Sequence, residues 1–351
     1  RSPRPWSLAA AGSVAAALFG ALWLGSAKRG HGERIFHASL VAPVGTGFTD
    51  YFALSPDGRR VVFESLDRET GARGLWLREL DRGEATKLES TSGGDTPFWS
   101  PDGSQIAFFA DGKLKRLDLR GGPAQTICDA PTPRGGAWGP DGRIVFSPAF
   151  RAGLSIVPAT GGAPQPLTTL DVAREEKSHR FPVFLPGGER ILFLVQTAEG
   201  GARNDASAIE VLELASGERT RLIAANASPL YSSAGQLLFW REGTLFAQRF
   251  DASGPRLLGE PAAIASPVAF TQNEQVLASV SNEGTLLYRA GSRGSFSSLV
   301  WLDRAGLGVK PLREKELFAD FALSPDARRL AFAVNSAGQG ATDLWVYDLT
   351  R

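Results

Sequence analysis

Twelve residues near the start of the chain, FALSPDGRRVVF at 52–63, return almost unchanged near its end as FALSPDARRLAF at 321–332. Weaker copies lie between them: FWSPDGSQIAFF from Phe98, AWGPDGRIVFS from Ala137, VFLPGGERILFL from Val183, YSSAGQLLFW from Tyr231 and VSNEGTLLYR from Val280. The corner residue of the series falls at Gly58, Gly103, Gly142, Gly188, Gly235, Gly284 and Ala327, with gaps of 39 to 49 residues. A period near 45 that tolerates insertions marks one supersecondary unit used repeatedly.

Each copy reads as a hairpin. An apolar run meets Ser-Pro-Asp-Gly, and a second apolar run follows. Proline presets the first corner of a turn, aspartate bonds the turn backbone, and glycine takes a positive φ at no steric cost. Asp57, Asp102, Asp141 and Asp326 are therefore read as turn residues, alongside Gly58, Gly103, Gly142, Gly188, Gly235 and Gly284. Ala327 is mildly unfavourable at the same corner. A calcium reading of these loops fails on their shortness and scarcity of carboxylates.

A second hairpin follows each first one, as in LWLRELDRGEATKL (75–88), LKRLDLRGGPAQTI (114–127) and IEVLELASGERTRL (209–222). Each period thus holds four strands. The second strands, such as ILFLV and LLFW, are continuous apolar runs, the pattern of strands buried on both faces. Blades wedged between neighbours have that environment, and helical periodicity is absent after residue 27. The expected fold is all-β, a seven-bladed β-propeller of four-stranded antiparallel blades. Their expected limits lie near 45–92, 93–131, 132–172, 173–225, 226–267, 268–313 and 314–351. The last unit stops where its fourth strand should begin. Ile35 to Leu40 is expected to supply that strand beside Leu344 to Tyr347, removing an open sheet edge. The alternative is further repeats beyond Arg351.

Residues 6–27, WSLAAAGSVAAALFGALWLGSA, carry no charge. At the helical rise they span roughly 33 Å, enough to cross a bilayer core. Trp6 and Trp23 sit near the two ends, as in an aromatic belt. A transmembrane helix is expected here, between a flank at 1–5 and a linker at 28–34. Gly25-Ser26-Ala27 also resembles a signal-peptide cleavage site. The stretch is longer than a usual signal core, and the chain starts at Arg1 and contains no methionine, so an internal span of a longer protein is the expectation.

Net charge is +1, with no basic run, so no nucleic-acid partner is expected. The single Cys128 excludes an internal disulfide framework and a cysteine-built zinc cluster. His31, His37 and His179 are scattered without metal-ligand spacing. No Gly-x-Ser-x-Gly elbow, phosphate-binding loop, His-Arg-Asp or Asp-Phe-Gly occurs. No catalytic residue, metal or cofactor is assigned to this chain. A binding surface remains. Propellers bind at the mouth of the central channel, and residues just before each innermost strand would line it: Asp50, Asp95, Arg134, His179, Arg180 and Asp320. The same residues also serve as strand-end caps in a purely structural reading. The loop at 196–207 and the connector DVAREEKSHR (171–180) are read as solvated.

The repeat resembles the TolB-like, WD-type propeller repeat over almost everything after residue 45. FFADGKLKRLDLRGGPAQTICDAP, EEKSHRFPVFLPGGERILFLV and REGTLFAQRFD, following a candidate span, look like the C-terminal half of bacterial receptor-type serine/threonine protein kinases. The resemblance implies an upstream cytoplasmic kinase domain, which alone would bind ATP, and a propeller on the periplasmic side of the cell membrane. It implies a sensor that meets a protein, peptide or small-molecule ligand. Two rivals stand beside it: an envelope interaction scaffold that signals nothing, and the propeller of a peptidase.

Overall fold

The computed structural model describes residues 42–197, 207–271, 273–291, 297–302, 308–316, 318–335 and 342–349. The expected span at 6–27, with its flank and linker, the closing strand at 35–40 and most of the loop at 196–207 lie outside the described residues. Among those described, every regular element is a β-strand.

Five four-stranded antiparallel meanders follow one another. The first comprises β1 (Thr46–Leu54), β2 (Arg60–Asp67), β3 (Arg73–Glu79) and β4 (Ala85–Lys87). The second holds β5 (Asp95–Trp99), β6 (Gln105–Ala110), β7 (Lys113–Asp118) and β8 (Gln125–Asp129). The third holds β9 (Gly136–Trp138), β10 (Arg143–Phe146), β11 (Ser155–Pro158) and β12 (Gln165–Pro166). The fourth holds β13 (Ser178–Phe184), β14 (Arg190–Gln196), β15 (Ala208–Glu213) and β16 (Arg219–Ala224). The fifth holds β17 (Leu230–Ser232), β18 (Gln236–Arg241), β19 (Thr244–Asp251) and β20 (Arg256–Ala265). A smaller sixth unit pairs β21 (Ala278–Val280) with β22 (Leu286–Tyr288) and adds bridges Val268–Ala290 and Phe270–Val276. Two separate sheets complete the chain: β23 (Ser297–Leu302) with β24 (Gly308–Glu316), and β25 (Phe318–Leu323), β26 (Arg329–Asn335) and β27 (Thr342–Asp348).

The corners explain the hairpins. The Ser55 hydroxyl donates to Asp57 Oδ1 at 2.5 Å and accepts from the Arg60 amide at 2.9 Å, while the Gly58 amide donates to the Ser55 carbonyl. Ser100 with Asp102 and Ser324 with Asp326 repeat the hydroxyl–carboxylate bond at 2.6 Å. Corner φ angles run from 53° at Ala327 to 84° at Gly284. The turn carboxylates are therefore committed to their own backbone.

Successive second strands show how the units stack. Alternate side chains of a strand point to opposite faces. Ile106 and Phe108 pack towards the first sheet, while Ala107 and Phe109 pack towards the third. Ile191 and Phe193 meet Val145 and Leu154 of the third sheet, whereas Leu192 joins Leu237 and Phe239 of the fifth. Leu238 then turns to Val268 and Val276 of the sixth unit. Burial on both faces is the condition these uninterrupted apolar strands require. Each Leu, Ile or Phe so buried contributes about 1.5–3 kcal/mol against exposure.

First strands face the axis: β1 lies against β5, β5 against β9, β9 against β13, β17 against β21, and β21 against β1. The sixth unit thus lies beside the first, in a β-propeller architecture. The sixth unit is bonded there, through Leu54 N to Ser279 Oγ (2.9 Å), Asn282 N to the Pro56 carbonyl (2.8 Å) and Arg289 to Asp50 (2.5 Å). Sheet β25–β27 stands apart from this contact, with Phe321 63% and Leu344 76% exposed.

Candidate ligand-binding site at the ring axis

The inner strands carry polar residues at the end remote from the Ser-Pro-Asp-Gly corners. Bulges interrupt β1, β5 and β13 near that end. Thr96 (φ 45°) and Phe181 (φ 51°) occupy the left-handed region there, a strained state for side chains other than glycine. Such bulges re-aim the flanking side chains. The Phe181 amide donates to the Arg134 carbonyl at 2.9 Å and ties the third sheet to the fourth.

Arg134 and Arg180 each place a guanidinium 5.1 Å from the Phe150 ring centroid, and Arg151 sits at 5.9 Å. Arg180 is buried; its Nε donates to Ser178 Oγ at 2.9 Å and its Nη1 to Glu274 Oε2 at 3.1 Å. Glu274 also accepts from Gln196 Nε2 at 2.8 Å, so the sixth unit reaches across to the fourth. Arg134 Nη1 donates to the Pro133 carbonyl at 2.7 Å, and burial pulls its guanidinium below the ordinary value. Burial likewise pushes the Asp95 carboxyl up. In the first sheet, burial raises Glu64, which accepts from Thr49 Oγ1 at 2.6 Å and Arg73 Nη1 at 3.2 Å. Asn273 Nδ2 donates to the Tyr51 hydroxyl at 3.4 Å.

Of the residues singled out from sequence, Asp95, Arg134 and Arg180 gather in this axial region. Asp50 is at the seam, paired with Arg289. Asp320 lies on β25, where its Oδ1 accepts from the Phe321 amide. His179 is a correction: it is fully buried within the fourth unit and lines no mouth. Its Nδ1 is 2.7 Å from Thr168 Oγ1 and its Nε2 2.9 Å from Glu176 Oε2, with the Phe193 ring edge-on at 5.1 Å. The connector 171–180 is corrected with it. Glu176 is buried, accepts from Arg219 and the Asp171 amide and forms an ion pair with Arg174, while Glu210 accepts from Arg219 Nε at 2.8 Å and pairs with Arg174. The reason is that 176–180 already runs into the innermost strand, so its polar side chains enter the sheet interface and are paired there.

Phe150, Glu274, Tyr51, Ser147 and Gln196 escaped the sequence reading. Residues after a second strand share the mouth with those before the first, because the two strands are antiparallel. Counting that second set would have included Phe150 and Gln196. At the opposite end, a cleft of about 230 Å³ is lined by Pro56, Asp57, Arg60, Asp102 and Asn282. Asp57 and Asp102 serve their turns and Arg60 Nη2 donates to the Gly103 carbonyl, so little chemistry is left over.

No family model matches the chain. Over 147 residues, 41% of its length, it is 31% identical to an uncharacterized peptidase, YuxL, of Bacillus subtilis strain 168. The match spans about a fifth (21%) of that relative. Among solved structures it is similar to TolB from Acinetobacter baumannii, at 16% identity over 61% of this chain and 56% of that one, TM-score 0.46. It is also similar to a putative TolB from Agrobacterium tumefaciens, at 16% identity over 78% and 80%, TM-score 0.41.

Proposed function

We propose that the chain is a non-catalytic, ligand-binding propeller of a larger membrane-anchored protein, serving as the extracytoplasmic sensor of a receptor-type serine/threonine kinase. The observation that carries the binding role is the axial cluster of three units, where Arg134 and Arg180 flank Phe150 and Glu274 pairs with Arg180. Desolvated charges at a channel mouth are costly for stability alone, and such a cluster is a candidate recognition site. The kinase parent is supported by the motif resemblance. Its EEKSHRFPVF segment builds the Glu176–His179 clasp and delivers Arg180 to the axis. Ligand binding would bias the kinase through a single span.

The second reading is the propeller of a peptidase, which the match to YuxL favours. There the ring would sit over a hydrolase domain and filter substrates. The coding sequence around the chain tests both. A kinase domain with His-Arg-Asp and Asp-Phe-Gly upstream of Arg1 supports the first reading, and an initiator codon a few residues upstream overturns it. A hydrolase sequence with a Gly-x-Ser-x-Gly elbow beyond Arg351 selects the second. Protease protection in intact cells tests the orientation: a propeller digested only from the cytoplasmic side overturns the extracytoplasmic placement.

A further inference from the structure

We propose that Arg134 anchors a carboxylate subsite at the ring axis, so that the propeller's ligand enters with a free carboxylate. This rests on the ligand-binding reading above. Three guanidiniums converge on one phenyl ring, at 5.1, 5.1 and 5.9 Å. Cations gathered around one ring are stabilised by counter-charge. Glu274 provides one and is spent on Arg180.

Arg134 differs. Its hydrogen bonds go to the carbonyls of Pro133 at 2.7 Å and Thr132 at 3.5 Å, which hold the fork in place without neutralising it. Among the described residues no carboxylate forms an ion pair with it; Asp95 and Glu274 act on it only through space. Its buried Nε has no acceptor among those residues. The Arg134 amide donates to the Ser147 carbonyl at 3.2 Å, and the buried Ser147 hydroxyl lacks a partner as well. A guanidinium fork matches the two oxygens of a carboxylate. Phe150 offers an apolar plane beside it for the body of the ligand. Asp95 and Glu274 nearby favour a monoanion over a phosphate dianion, which they would repel more strongly.

The test uses the full chain and two mixtures of random-sequence hexapeptides, one with free C-termini and one C-terminally amidated, with retention read by mass spectrometry. The free-acid mixture is expected to be retained about tenfold better, a difference of about 1.4 kcal/mol. Arg134→Gln is expected to abolish that preference at unchanged thermal midpoint. Arg134→Lys keeps the charge and loses the fork, so it should retain a reduced preference, and it decides the matter if the glutamine variant does not fold. Hexanoate displacing the peptides would identify a small acid as a sufficient occupant; failure to displace would identify a peptide terminus. Equal retention of both mixtures by the wild type overturns the carboxylate subsite and leaves the binding role standing. Retention of neither overturns both.

Discussion

The Leu54 amide donates to the Ser279 hydroxyl at 2.9 Å across 225 residues of sequence. That bond, with Arg289–Asp50, seats the sixth unit on the first. Residues 42–291 are therefore expected to fold without the rest of the chain, in one cooperative denaturant transition followed by circular dichroism. Ser279→Ala strands an inner-strand amide and should lower the stability of that fragment by about 1–3 kcal/mol. If the ring instead required a blade from 314–351, the fragment would show no cooperative transition.

The same corner carries glycine at 58 and alanine at 327, and both sit in the left-handed region, at φ 69° and 53°. Opposite effects follow from matched substitutions. A Cβ at residue 58 would lie 2.9 Å from both Ser281 Oγ and Thr285 Oγ1, in addition to the backbone strain. Gly58→Ala should destabilise the ring by at least about 1 kcal/mol. Ala327→Gly relieves strain and should stabilise β25–β26 by a few tenths to about 1 kcal/mol. Amide hydrogen exchange over 321–332 reads the second effect locally, and faster exchange in the glycine variant would contradict it.

The fold was legible where local chemistry repeats. Ser-Pro-Asp-Gly corners and two-sided apolar strands such as 191–195 specify hairpins and their burial, because each depends on residues a few positions apart. Closure was not legible. Whether Ser279 or a residue of the last unit meets Leu54 depends on the accumulated angle of the sheets, which no single motif records. The axial site was half legible for a similar reason. Arg134 precedes its inner strand and Arg180 lies near the start of β13, so both fit a positional rule, while Glu274 arrives from a different unit. His179 satisfied the same rule and yet turns inward, because Glu176 and Thr168 offer it hydrogen-bond partners there.

Cys128 is buried on β8 among Leu114, Ile127 and Ile144, and burial, followed by the Asp129 charge, pushes its thiol up to about 11. A thiol so placed is protonated and shielded at neutral pH. The native chain should therefore resist a thiol-specific disulfide reagent at pH 8. Labelling should appear in step with unfolding, which makes the residue a probe of sheets two and three. Stoichiometric labelling of the native protein within seconds would show that this interface opens.

His179 and Glu176 make stability depend on pH with a defined sign. Burial, then the Arg219 charge, lowers the His179 pKa below 6.5 despite the bond to Glu176, so the imidazole is neutral when folded. A carboxylate only accepts; Nε2 therefore carries the proton, and Nδ1 accepts from the Thr168 hydroxyl, which in turn accepts from the Leu154 amide. The unfolded chain protonates first as pH falls, so this contribution is complete above about pH 6.5 and is lost below it, with a slope of up to ~1.4 kcal/mol per pH unit. Burial alone would raise Glu176, but the bonds from Arg219, the Asp171 amide and His179 outweigh it and hold the carboxyl at about 2. Its stabilisation is present above pH 4.5 and lost as pH falls towards 2. Urea unfolding at pH 7.5, 6.0 and 5.0 should show falling stability in the wild type. His179→Gln, which keeps a donor for Glu176, should flatten that fall, whereas Glu176→Gln should cost about 3–5 kcal/mol at every pH by leaving Arg219 and Arg174 to share Glu210. A wild-type curve level from pH 7.5 to 5.0, or an unchanged slope in His179→Gln, would place the titration elsewhere.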